Sequence, residues 1–381
     1  MNLREREAHL SLRAIACVMP ACPAGPAASG GEVTVIASTW DTERADYRAI
    51  VNEWHVVHRS EEVAEGAIVP ARLLGEDIIL WRHDGEVHAW KDYCRHRGAR
   101  LSLGWVKDGC VVCPYHGWEY GTDGACRRYP AHPTTRPTSR AAAFRHHAVE
   151  RYGYIWVCMG NPVAAVPPFP VWEDATYRKV QAGPYYYNAN ALRAVENFLD
   201  PAHFPFVHAN LNGNPDDPDE LVDYDVVLTD EGLRTSEITL FQPYGDHRGI
   251  PINAGYHYYC FRPTTAYFNK KTGEAERFCT FMAVTPVDLE NCVLHLTAAI
   301  NYGFDVGVEQ IVARLDKVYE QDRVIVESQR PKTLPLHPKD EIHLRSDLLG
   351  VEYRRWLRAL AGDGAHAGSA QDSMAEGAVA N

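Results

Sequence analysis

The sequence predicts an α+β chain in two parts: a small all-β unit, then a larger antiparallel sheet packed by helices. Three observations carry this. Between Asn52 and Cys158, short β-type runs alternate with turns: "WHVVH", "AIVPARLL", "DIILWRHDGEVHAWK", "CVVC" and "YGYIWVCM". Next, "GNPVAAVPPFPVWED" places four prolines in fifteen residues, which reads as a linker or an inter-domain clasp. Beyond it, strand-like stretches lead into one long amphipathic helix at about 306–329.

In the first part, "HDGEV" between alternating apolar segments signals a hairpin, because Asp-Gly tolerates the positive φ of a tight turn. The second part opens on a helical-looking segment around Asp200 and passes through the loop "LNGNPDDPDE". Its predicted strands are "VDYDVVLT", "LRTSEITLF", "AGYHYYCFRP", "AYFN", "ERFCTFMAVTPV" and "CVLHLTAAINY", with hairpin signals at "TDEG" and "NKKTGE". After the long helix comes a short one, "EYRRWLRALA". This divides the chain into a leader over 1–39, a first domain over 40–166, a second over 167–360 and a tail over 361–381. The leader begins basic and turns rich in small residues, but Arg13 interrupts its apolar run before a signal-peptide core can form. It and the Gly/Ala/Ser-rich tail are expected to be flexible, and the leader partly non-native.

The chain has 381 residues, 46% hydrophobic and 23% charged, which is ordinary for a globular protein. No run approaches the length of a membrane span. A net charge of −12 argues against nucleic acid, whose phosphates demand Lys and Arg. Ten cysteines with one interpretable pairing of spacings suit a reducing, cytoplasmic setting.

That spacing lies in "YCRHRGARLSLGWVKDGCVVCPYHGWEYG": Cys94-x-His96, then sixteen residues, then Cys113-x-x-His116. Zinc fingers keep their cysteines together and their histidines together, whereas here each loop offers one of each. Two sulfur ligands on one iron and two nitrogen ligands on its neighbour, as in a [2Fe–2S] centre, suit this pattern. Further on, "ENFLDPAHFPFVH" places Asp200, His203 and His208 among aromatic neighbours, either a metal site or a helix that carries two of 18 histidines. On an ideal helix the two rings sit about 140° apart. Pro205 cannot donate to the carbonyl of Pro201, and the resulting kink could bring them together.

In "VGVEQIVARLDKVYEQDRVIVESQ" an apolar stripe runs through Val308, Ile311, Val312, Leu315, Val318, Tyr319, Ile325 and Val326. Asp322 falls within it, while Asp316, Glu320 and Glu327 project from other faces. A carboxylate facing the core must be paired or bind a metal, so Asp322 is a third ligand or half of a buried salt bridge.

At Cys94, His96, Cys113 and His116, with "HRGARLS" and "CPYHGWEYGTDG" around them, the chain resembles the Rieske domain of Rieske non-heme iron oxygenases. Respiratory Rieske proteins carry an extra disulfide, as the resemblance implies, and the equivalent positions here are Ala99 and Tyr115. The resemblance continues through Asp200-x-x-His203-x-x-x-x-His208 and "EQDRVIVESQ", covering about residues 50–358. It implies a helix-grip catalytic domain, Fe(II) on His203, His208 and Asp322, and O2 as co-substrate. Asp200 would orient His203 and bridge electrons from a Rieske histidine of a neighbouring subunit, expected to be His116, in a head-to-tail homotrimer. NADH would act through a separate reductase, with or without a ferredoxin, since the chain has no Gly-rich nucleotide fingerprint.

Some family members have asparagine at the position of Glu196, which leaves an auxiliary role for the adjacent Asn197. Arg95, Arg97, Arg100 and Lys107 crowd the cluster loops, where they dock an acidic donor, favour the reduced cluster or are simply solvated. His257 and Arg262 meet substrate or pack in the sheet. The implied reaction is hydroxylation or demethylation of an aromatic acid or ether. A ring cis-dihydroxylating dioxygenase, or an electron carrier with a non-catalytic second domain, is the alternative.

Overall fold

The computed structural model describes residues 43–362 apart from residue 222. The leader over 1–39 lies outside the described residues, as does the tail beyond residue 362. Ala361, at the boundary the composition predicts for the tail, is buried against the core.

Helix α1 (Ala45–Ile50) precedes a six-stranded antiparallel sheet. Its spatial order is His55–Arg59, Tyr154–Cys158, Arg145–Arg151, Glu86–Lys91, Glu76–His83 and Ile68–Leu73. The predicted hairpin closes through Asp84 and Gly85, with φ of 50° and 78°, the conformation a two-residue turn needs. "DIILW" is apolar at successive positions because both faces of its strand are covered. Ile78 and Leu80 join the core shared with the second part, while Ile79 and Trp81 pack with Trp90, Leu101 and Tyr120. That second cluster is the floor beneath a four-stranded sheet, Trp105–Lys107, Cys110–Val112, Glu119–Gly121 and Cys126–Arg128.

The second part is an eight-stranded antiparallel sheet whose long strands run Arg178–Tyr187, Cys292–Ile300, Arg277–Pro286, Thr265–Lys271 and Ile252–Arg262 in spatial order. The edge strand Arg178–Tyr187 is absent from the sequence reading, because Gly183-Pro184 in its middle looks like a turn. The structure accommodates the pair with an irregularity between Ala182 and Tyr185, on an edge where a missing N–H is tolerated. "LRTSEITLF" is two strands, Gly232–Thr235 and Ile238–Gln242, both pairing with Ile252–Arg262.

Among the described residues four further α-helices follow: α2 (Ala191–Leu199), α3 (Phe204–Val207), α4 (Val308–Ser328) and α5 (Leu348–Leu360). The sheet wraps α4, which buries Ile311, Leu315, Tyr319, Asp322 and Val326 at steps of three and four. Val308 and Ile325 lie off this face and are 44% exposed, so the buried stripe is narrower than the apolar residues alone suggest.

Arg193 on α2 and Arg354 on α5 are locked by carboxylates. Arg354 donates twice to Glu196, at 2.6 and 2.9 Å, and both arginines donate to Glu341. Burial pushes Glu341 up, but the hydrogen bonds from Arg193 and Arg354 outweigh it and hold its carboxyl at about 2, against 4.5 ordinarily. A folded value below the unfolded one stabilises the fold above pH 4.5, and that contribution fades as pH falls toward 2. Thermal denaturation of Glu341→Gln against the parent should therefore show a deficit at pH 7 that shrinks through this window.

Candidate metal sites

Two loops at the tip of the first part have matching backbones despite different spacings. In each, a glycine four residues after the cysteine donates to the cysteine carbonyl, Gly98 to Cys94 at 2.9 Å and Gly117 to Cys113 at 3.0 Å. Each cysteine N–H in turn reaches the carbonyl five residues on, Ala99 or Trp118. The glycines have φ of 73° and 66°, left-handed values that close both loops. Cys94 and Cys113 are buried, and their thiols meet. The bond from Cys113 draws the Cys94 thiol well below its ordinary range against burial, at the expense of Cys113, which is pushed up, and the Tyr120 hydroxyl at 3.1 Å from Cys94 acts in the same sense on it. His96 and His116 stand further out, with Nδ1 atoms 3.2 Å apart, and Trp118 stacks on His96 at 4.5 Å. Sulfurs inside and imidazoles outside are the donor set for two irons in unlike environments. Ala99 and Tyr115 offer no disulfide here.

The second site has a backbone the helical reading does not anticipate. α2 ends at Leu199, and Asp200 is extended, with φ −100° and ψ 107°. The break falls at Asp200-Pro201 and not as a kink at Pro205: Pro201 has no N–H to continue α2 and forces the residue before it out of the helical region. His203 then caps the single turn α3, within which Pro205 sits in the first turn without penalty, and His208 ends it. Two short pieces at an angle thus present both rings to one point.

Asp322 meets them from the buried face of α4. His203 Nε2 and His208 Nε2 are 3.3 Å apart, and Asp322 Oδ1 lies 3.4 Å from the first and 3.2 Å from the second. Asp322 Oδ1 is buried without a well-aligned donor, and with the two imidazole nitrogens it forms a cluster of three ligand atoms. Burial pushes Asp322 up, but the two imidazoles beside it prevail and hold it at about 2. Burial disfavours a charged His203, yet Asp200 and Asp322 raise it to about 9. The pocket is thus built to hold positive charge. Two neutral imidazoles and a carboxylate on one side fit Fe(II), leaving its other positions for O2 and substrate.

The supporting residues are placed around this cup. Asp200 turns Oδ2 to His203 Nδ1 at 3.5 Å and accepts from the Ala202 N–H with Oδ1. Gln321 Oε1 accepts from His208 Nδ1 at 3.0 Å. Nothing in the sequence marks Gln321: only the fold brings α3 beside α4. Such outer partners fix tautomer and ring orientation, so Gln321→Leu should weaken iron binding by about 10–100-fold, read as chelator-resistant iron.

Other candidates are structural. Glu196 belongs to the Arg354 network, and Arg262 pairs with Glu53. His257 faces Glu237 and Thr235, away from the cavity above the cup. Asn197 does line that cavity. Arg100 pairs with Asp77, and Arg95 lies over Phe144.

The cavity lies between α4, the sheet and α2–α3. Phe198, Phe204, Phe268, Phe278, Leu315 and Val318 make it largely apolar. A [2Fe–2S]-type loop pair in one sheet domain and a two-histidine, one-carboxylate cup under an apolar cavity in the next define an iron–sulfur oxygenase. Comparison with known proteins gives the particular family. The model of the Rieske [2Fe-2S] domain matches residues 53–147, and that of the vanillate O-demethylase oxygenase C-terminal domain matches 187–363. Methylxanthine N1-demethylase NdmA of Pseudomonas putida is 30% identical over 332 residues, 82% of this chain and 92% of that protein. The toluene-4-sulfonate monooxygenase system iron-sulfur subunit TsaM1 of Comamonas testosteroni is 25% identical over 81% of this chain and 95% of its own. The solved structure of NdmA with caffeine superposes with a TM-score of 0.73 and 28% identity, covering 84% of this chain and 93% of that one. The chain belongs to the Rieske non-heme iron oxygenases and is an enzyme of that type.

Proposed function

We propose that this chain is the terminal oxygenase of a multicomponent system that hydroxylates or demethylates an aromatic substrate. The observation that carries it is the convergence of His203, His208 and Asp322 at the floor of an apolar cavity. In this reading Cys94, His96, Cys113 and His116 hold the [2Fe–2S] cluster, and His203, His208 and Asp322 hold Fe(II). When bound, the cluster supplies single electrons and the iron activates O2. The chain's own residues do the rest. His208 donates to Gln321, and His203 Nδ1 faces the Asp200 carboxylate at 3.5 Å, which orients both rings with Nε2 inward. The phenylalanines exclude water and bind an aromatic face, so that the reacting carbon lies beside the cup.

Electrons come from NADH through a separate reductase, with or without a ferredoxin; the name of the toluenesulfonate relative describes an iron-sulfur subunit of a monooxygenase system. A head-to-tail homotrimer with Asp200 at the joint is supported by exposure at both ends. Asp200 is 40% exposed, with Phe206, Val324 and Ile342 also open to solvent. At the cluster tip Leu103, Trp105 and Tyr115 are exposed as well. Among the described residues no helix is long and apolar enough to cross a membrane, and a cytoplasmic location is part of the proposal. NADH-coupled oxygen uptake with a generic reductase, against aromatic acids, aromatic methyl ethers and methylxanthines, tests it. Substrate-dependent uptake with formaldehyde or hydroxylated product is expected, and iron-loaded protein inert to the whole panel contradicts it.

A further inference from the structure

Two basic side chains stand in the cavity wall, and among the described residues neither touches a carboxylate. Lys270, on the strand Thr265–Lys271, is 4% exposed. It donates to Gln242 Oε1 at 2.5 Å and to the Gly245 carbonyl, and lies over the Tyr256 ring at 5.4 Å. Gln242 is itself completely buried and held by Tyr256 at 2.9 Å, so the amine is fixed in place; burial and the neighbouring Arg314 pull it well below its ordinary range, and Asp246 opposes them. Arg314, on α4, uses Nη2 for Asn212 Oδ1 at 2.9 Å and the Tyr244 carbonyl at 2.6 Å. Among the described residues its Nε and Nη1 have no acceptor. The nearby carboxylate of Asp246 is committed to Arg248 and the Tyr302 hydroxyl.

Burying two like charges together is unfavourable unless an anion joins them. Among the described residues no carboxylate contacts both side chains, although Asp246 attracts each of them, and much of the remaining wall is apolar. Arg314 precedes Asp322 by eight residues, about 12 Å along α4, so the cations lie at the opposite end of the cavity from the iron cup. That span suits one substituted benzene ring with its reacting carbon beside the metal.

We infer that Lys270 and Arg314 form an oxyanion subsite that binds the carboxylate or sulfonate of an aromatic substrate and points its opposite end at His203, His208 and Asp322. This rests on the oxygenase reading and narrows it to anionic aromatics. Arg314 offers its Nε–H and Nη1–H as separate donors to such a group and Lys270 an amine that a bound anion would keep charged, while Asn212 and Gln242 hold the two side chains in register.

The test is calorimetric binding of 4-methoxybenzoate and its neutral isostere 4-methoxybenzamide to the iron-loaded protein. The parent should prefer the acid by about tenfold or more, a charged hydrogen bond's worth of discrimination. Arg314→Gln and Lys270→Met should each bring the ratio to within about threefold while the amide affinity holds. Two variants guard against one failing to fold, and thermal melts identify which did. Acid binding that is absent or equal to the amide's in the parent, or a ratio unchanged in both variants, overturns the subsite. Iron content and oxygen uptake in the same preparation separate the two readings: protein that consumes oxygen with neutral aromatics alone loses the subsite and keeps its function, whereas protein lacking mononuclear iron loses the function itself.

Discussion

Replacing Asp322 by alanine is expected to remove the mononuclear iron and to leave the cluster intact. Two buried imidazoles alone hold a divalent cation poorly, and the substitution takes away the only carboxylate facing them from α4. Total iron should fall from about three to about two atoms per chain, and substrate-coupled oxygen uptake by about 100-fold or more. Visible and EPR spectra of the cluster should not change, because residues 94–98 and 113–118 make no hydrogen bond or ion pair with α4 among the described residues. Asp322→Asn separates charge from shape: a neutral amide keeps the oxygen but not the anion that offsets the metal's charge. It should retain less iron than the parent. An unchanged mononuclear site in either variant would remove Asp322 from the ligand set.

Asp200→Ala should uncouple the two centres. Both metals should load, yet turnover should drop by about 100-fold, since His203 Nδ1 loses the carboxylate beside it and the proposed electron path between subunits loses its middle member. A merely structural role predicts something else: loss of the Asp200 bond to the Ala202 N–H loosens the chain before α3 and lowers thermal stability and iron content together. The discriminating readout is therefore the reoxidation rate of the reduced cluster in air, measured on protein whose iron content matches the parent. A slow cluster in a fully loaded variant assigns Asp200 to electron transfer, whereas a fast one assigns it to packing.

The ease of reading this chain differs from site to site for physical reasons. The cluster loops are local: Cys94, His96, Cys113 and His116 sit in two short hairpin turns, so spacing alone carries the chemistry. Asp322 was legible through periodicity, because a lone carboxylate among Leu315, Tyr319 and Val326 must have a partner. The path between Asp200 and His208 was harder, since the eye follows helical propensity and the structure follows the proline. Pro201 breaks the segment and the rings meet without the kink at Pro205. Likewise Gly183-Pro184 concealed an edge strand whose identity depends on pairing with Cys292–Ile300. Gln321, Lys270 and Arg314 were illegible altogether. Each looks like an ordinary polar residue until the sheet closes round α4, and their roles exist only in that juxtaposition.

The central claim is that electrons held by the cluster are consumed at the site formed by His203, His208 and Asp322. A single-turnover experiment tests it most directly: protein reduced chemically, freed of reductant and mixed with oxygen and an aromatic substrate, with the cluster followed by EPR and product by chromatography. The account predicts rapid loss of the reduced-cluster signal with product formed in the parent, and a persistent signal with no product in Asp322→Ala. Equal reoxidation and equal product in the two proteins would contradict it.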